Sequence, residues 1–268
     1  AVYFFISGYL FFASRIWSWT VYGRKLKNRV HTLLIPYLLW NLLAIILVAG
    51  KSLPCFAPFL SYEGTGVDWS LANVLSCFWE YDGRLSAPPA GTVGYEAFVK
   101  VQPYPINTAL WFVRDLMIVV LLAPLWRALL MRFRNLFLAV LAVAYAVMSY
   151  KVIDWHVNQL LMATLFFSWG GSFSLRGENL TDHFPRKSVL FAGLYLLCSL
   201  GLLFQDFLSG VIVPLLKVVH TVVTVAFSFN LVCWMTRKGW LGIAALPVAM
   251  GCFIYMSHCL VVPRLLKV

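Results

Sequence analysis

The sequence predicts an all-helical, polytopic membrane protein, and three observations carry that reading. Hydrophobic residues make up 62% of the 268 and charged residues only 12%, where a soluble domain carries about 25% charged residues to face water. The mean hydropathy is +0.83. The apolar residues are gathered into about eight runs, most of them near the roughly 20 residues that cross hydrocarbon as a helix. These runs do not alternate apolar and polar residues as the strands of a membrane barrel do.

Taken in order, the first run extends from Ala1 to Tyr22, broken only by Arg15, and the second from Thr32 to Gly50. The third runs from Ala109 to Trp126 with Arg114 and Asp115 inside it; the fourth, Asn135 to Tyr150, is short. Trp155 to Leu175 is the fifth, Ser188 to Gln205 the sixth, and Phe207 to Thr236 the seventh, with Lys217 inside it. Gly239 to Pro263 is the eighth. The whole of 1–268 reads as one integral membrane domain.

Charge sets the orientation. The connections after runs one, three, five and seven hold 12 basic residues, against 4 in the connections after runs two, four and six. The positive-inside bias places the richer set in the cytoplasm. Ala1 is then expected outside; if the intact protein begins in the cytoplasm, an odd number of helices, most simply one, is expected before it. The net charge of +11 is concentrated in these short clusters, so no basic face is left for nucleic acid.

The outer connection at about 51–107 is long, acidic and rich in Pro and Gly, and Leu71 to Trp79 inside it has the pattern of a short interfacial helix. Its Cys55 and Cys77 are one possible disulfide pair if the loop is extracytoplasmic. Spacing alone does not fix that pairing. Cys198, Cys233, Cys252 and Cys259 fall in apolar runs and read as packing residues, and the absence of a CxxC pair points away from zinc or redox chemistry.

Polar groups inside a bilayer are costly and commonly line a cavity. Arg114 and Asp115 lie towards the outer end of their run, as do Lys217 and His220, three residues apart on one helical face. His258 falls at a similar depth. Packing, snorkelling and interfacial anchoring are the plainer readings of the same residues; a polar chamber open to the outside is the sharper one. The cluster Arg24-Lys25-Leu26-Lys27-Asn28-Arg29-Val30-His31 reads either as contact with anionic lipid or as a site for a phosphate-bearing ligand.

Four segments carry a resemblance. Phe4-Phe5-Ile6-Ser7-Gly8-Tyr9-Leu10, Lys27-Asn28-Arg29-Val30-His31-Thr32-Leu33-Leu34-Ile35-Pro36-Tyr37, Leu110-Trp111-Phe112-Val113-Arg114-Asp115-Leu116 and Phe253-Ile254-Tyr255-Met256-Ser257-His258 resemble, in order, motifs of the membrane acyltransferase family 3. The resemblance implies an integral enzyme of about ten helices, in the bacterial inner membrane, moving an acyl group from acetyl-CoA or another acyl-CoA to a hydroxyl of a cell-surface or lipid-linked sugar. It implies donor contact by Lys25, Lys27 and Arg29, a catalytic part for Arg114, Asp115 and His258, and acceptor contact by Ser7 and Trp111; Lys217 and His220, read from their depth in run seven, are assigned to the acceptor with them. No metal or prosthetic group is implied. Thr32 stands where many members carry a second Arg. The family's first helix, with its essential His, and its last helix are expected to lie outside this chain. The competing reading is a transporter or flippase for a lipid-linked glycan or anionic solute.

Overall fold

A computed structural model describes residues 1–14, 17–51, 69–81, 104–151, 155–180, 188–208, 210 and 212–238. Every regular element among them is helical. In chain order these are α1 (Val2–Phe12), α2 (Trp19–Arg29), α3 (Ile35–Lys51), α4 (Leu71–Ser76), α5 (Trp111–Leu121), α6 (Ala123–Lys151), α7 (Trp155–Leu175), α8 (Ser188–Leu203) and α9 (Ile212–Arg237). Among the described residues, three helical stretches are apolar and long enough, by length and composition alone, to cross a membrane: Trp19–Val48, Ala123–Tyr150, which is broken at Phe133, and Ile212–Met235. The expected eighth run and His258 lie outside the described residues.

The exposure pattern is that of a protein solvated by lipid. On α3, Leu38, Leu39, Leu42, Leu43, Ile46 and Leu47 are exposed while Tyr37, Asn41, Ala44 and Ile45 are buried. The helix therefore turns its polar side chains inward and its leucines outward, which in water would present an apolar patch too large for a soluble monomer. α8 repeats the arrangement, with Leu190, Leu196, Leu197, Leu200 and Leu203 exposed and Cys198 buried.

Run one is split between α1, which ends at Phe12, and α2, which starts at Trp19, and the helix of run seven starts at Ile212; two further boundaries differ from the sequence expectation. The basic cluster after run one is helical: α2 carries it, and a π-helical turn, Val30–Leu34, joins α2 to α3. Arg, Lys and Leu are good helix formers and no Gly or Pro interrupts residues 24–35, so charge here does not mean loop. The second difference lies between runs three and four. Helical bonding continues through Leu122, whose N–H donates to the Ile118 carbonyl at 3.1 Å, and α6 then passes through the expected basic connection. Phe133 breaks it, with φ −133° and ψ 33°. Trp126 and Phe137 stack across the break at 5.9 Å, although a straight helix would hold them roughly 16 Å apart along its axis. The chain thus turns back at Phe133, and runs three and four remain separate arms.

The chain forms two compact units, and residues 1–26 and 118–238 belong to the first. There α1 lies against α7 so closely that backbones touch: a Cβ on Gly8 would overlap the Phe167 carbonyl, and one on Gly170 would overlap the Phe5 carbonyl. Small residues let helices approach in lipid, where packing rather than the hydrophobic effect drives association. Aromatic rings seal the crossing; Phe5 meets Trp169 at 5.1 Å and Phe229 at 5.3 Å, while Phe11 and Phe12 each meet Phe167 at 5.8 Å. α7 ends in a Schellman turn: Gly177 takes φ +69°, and Glu178 N–H reaches back to the Phe173 carbonyl at 3.1 Å.

The second unit includes residues 27–117. α4 starts on Ser70, whose hydroxyl accepts from the Asn73 N–H at 3.4 Å. The short helix expected over Leu71 to Trp79 is therefore present but ends at Ser76, and it is packed: Cys77, just beyond it, is buried beside Ile45 of α3. Cys77 Sγ donates to the Asn73 carbonyl at 3.2 Å; Cys55 lies outside the described residues.

Candidate functional site

The polar interior of the second unit is built on α3. Asn41, fully buried, donates through Nδ2 to the Tyr37 carbonyl at 3.0 Å and accepts the Asn107 N–H on Oδ1 at 3.3 Å. The Tyr37 hydroxyl donates to the Phe78 carbonyl. The middle of the long outer connection, at Phe78, and its far end, at Asn107, are thereby tied to one face of α3. They are also tied to each other, through Tyr81 N–H to the Tyr104 carbonyl and Ile106 N–H to the Cys77 carbonyl, both at 2.8 Å. Irregular backbone is tolerated at such a place only when its polar groups are bonded within the protein.

That clamp fixes Trp79, and Trp79 fixes the charges. Arg114 Nη1 donates to the Trp79 carbonyl at 2.7 Å, and the guanidinium lies over the Trp79 ring at 5.2 Å. Arg114 Nε donates to Asp115 Oδ1 at 2.9 Å. Arg114 and Asp115 are each 1% exposed, so the pair is neutral overall and its two charges neutralise each other away from solvent. The arrangement supplies a positive group whose plane and position are set before any ligand arrives, the property required of a group that stabilises developing negative charge.

Of the residues singled out in sequence, the structure joins Arg114 to Asp115 directly. Trp111 is half-buried at the start of α5, edge-on to Phe112 at 6.5 Å. Ser7 is half-buried on α1, next to Gly8 of the close helix crossing. On α9, Lys217 is exposed and its carbonyl accepts from the Thr221 hydroxyl at 2.7 Å. His220 is one turn further on; its Nε2 is 3.2 Å from Ser199 Oγ and its ring stacks on Tyr195 at 5.2 Å. On α2, Lys25 donates to the Phe11 carbonyl, Lys27 is exposed and Arg29 is half-buried. Sequence reasoning did not find Asn41, Asn107 or Trp79. A signal for the first existed: Asn41 is the one polar side chain between Tyr37 and Gly50.

Helices that face lipid with leucine and enclose a buried Arg–Asp pair define an integral membrane protein with a polar interior. The chain belongs to the acyltransferase family 3, whose acyltransferase domain matches residues 1–262. The family resemblance carried by the four motifs is thus borne out. Among characterised proteins, the succinoglycan biosynthesis protein ExoH of Rhizobium meliloti (strain 1021) is similar, 29% identical over 177 residues. The match covers 65% of this chain and 40% of that protein, so the chain spans less than half of its relative. No solved structure matches.

Proposed function

We propose that the protein is a membrane-bound O-acyltransferase that moves an acyl group, acetyl in the simplest case, from acyl-coenzyme A to a hydroxyl of a cell-surface or lipid-linked sugar. The observation that carries this reading is the family match over nearly the whole chain. A relative named for succinoglycan biosynthesis supports a glycan acceptor. On this reading the protein has about eight spanning helices in this chain and sits in a bacterial inner membrane.

The chemistry is the replacement of a thioester by an ester. The sugar hydroxyl attacks the acyl carbon, a C–O bond forms, the C–S bond breaks, and the hydroxyl proton passes to a base while coenzyme A leaves with its sulfur. A positioned base and a preorganised positive group are the two needs of that step. Arg114, locked on Asp115 and the Trp79 carbonyl, is suited to the second need. We assign His258 to proton transfer, Lys25, Lys27 and Arg29 to the phosphates of the donor, and Ser7, Trp111, Lys217 and His220 to the acceptor.

Membranes carrying the full-length protein, given labelled acetyl-coenzyme A and a broad panel of sugar acceptors, are expected to yield labelled, base-labile glycan. Label that stays on coenzyme A across the panel would overturn the assignment.

A further inference from the structure

Arg127 is a basic residue that the proposed site does not use. It lies on the first arm of α6, in the first unit with Phe11, Trp17, Tyr22 and Lys25. Its guanidinium sits over the Trp17 ring at 5.1 Å. Lys25 Nζ sits over the Phe11 ring, also at 5.1 Å, and donates to the Phe11 carbonyl. The Phe11 and Trp17 rings meet edge to face at 6.3 Å, and Trp17 leans on Tyr22 at 6.0 Å. Two cations from different helices are thus mounted on one aromatic cluster.

Among the described residues Arg127 makes no ion pair and no hydrogen bond, and its Nε is sealed from solvent with no acceptor. An aromatic face attracts a guanidinium but takes up none of its in-plane N–H groups. Sealing a charge-bearing N–H without an acceptor is costly. An anion with several oxygens would satisfy it, and a planar guanidinium is matched to phosphate.

We propose that Arg127 and Lys25, carried on Trp17 and Phe11, bind a phosphate group. With the acyl-coenzyme A reading, on which this identification of the ligand rests, the phosphate belongs to the donor; an anionic lipid headgroup offers the same chemistry. Arg127 thereby extends the donor-binding set beyond α2 to a second helix, and Trp17 supplies a surface for it.

The test titrates coenzyme A into full-length protein in maltoside micelles, which contain no phosphate, and separately measures thermal stabilisation by phosphatidylglycerol. Arg127→Ala is expected to weaken coenzyme A binding about tenfold or more, and Arg127→Lys less, since it keeps the charge but not the fork. If Arg127→Ala does not fold, Arg127→Gln, planar but uncharged, carries the same expectation. Unchanged coenzyme A affinity with loss of the lipid effect would support the phosphate pair and assign it to lipid. Wild-type protein that binds no coenzyme A but keeps an Arg127-dependent lipid effect would sink the donor reading and leave the pair standing. No change in either measurement overturns the pair.

Discussion

Gly8 of α1 and Phe167 of α7 meet backbone to backbone, with no room for a methyl group between them. The contact is returned one turn away, where Gly170 of α7 meets the Phe5 carbonyl. α1 is short, and its Tyr9 hydroxyl donates to the Glu178 carbonyl at 3.2 Å. The close approach of the two backbones sets how near it lies to α7.

Gly8→Ala should accordingly destabilise the folded protein by about 1–3 kcal/mol, the usual range for overpacking, despite a helix-propensity gain of up to about 1 kcal/mol. Gly193→Ala, on α8 with open space around it, should be neutral or slightly stabilising. Thermal unfolding in detergent separates the two; equal midpoints for Gly8→Ala and wild type would refute the close-contact account.

Removing one member of the buried pair strands the other. Asp115→Ala should cost about 3–5 kcal/mol by leaving the Arg114 charge uncompensated. Arg114→Lys keeps a charge but cannot make two bonds in fixed directions to Asp115 and to the Trp79 carbonyl. It should yield folded protein with labelled-acetyl transfer reduced at least about tenfold. Wild-type transfer by Arg114→Lys would remove the guanidinium geometry from the mechanism.

Asn41→Leu is nearly isosteric and more apolar, so membrane partitioning alone favours it. It nonetheless removes the acceptor of the Asn107 N–H, and a loss of about 1–3 kcal/mol is expected from stranding a buried donor. Leu42→Ala, on the exposed side of the same helix, should change stability far less. Faster proteolysis at the outer connection in Asn41→Leu, with no change in Leu42→Ala, is the expected readout.

His220 has two separable attachments, the stack on Tyr195 and the contact with Ser199. His220→Phe keeps the stack and His220→Ala loses it, worth about 0.5–1.5 kcal/mol for an aromatic pair. The phenylalanine variant should therefore melt near wild type and the alanine variant lower. With the imidazole in contact with the acceptor, His220→Phe should still raise the apparent KM for the sugar. An unchanged KM would leave His220 as packing only.

Hydrophobic runs make the membrane class and some of the helix boundaries directly legible, because lipid allows few options and a run of leucines is unambiguous. α7 and α8 begin where runs five and six begin, and α7 also ends with its run. The differences share a cause. Basic residues suggest loops, but Arg24 to Arg29 lie on α2, where helix propensity outweighs the charge signal. Arg114 and Asp115 are legible because charge is rare in such a run. Their partner Trp79 is not, since its role is played by a backbone carbonyl, which every residue has. Arg127 is legible only as topology; its ring partner Trp17 lies 110 positions away in the chain.

The reversal at Phe133 has a consequence for how the chain enters the bilayer. With no linker between its arms, the stretch from α5 through α6 offers the insertion machinery a helical hairpin rather than two independent segments. A tag spliced next to Phe133 would part the Trp126–Phe137 stack and let the arms insert separately, so the defect would surface during biosynthesis, as chains stalled with one arm across.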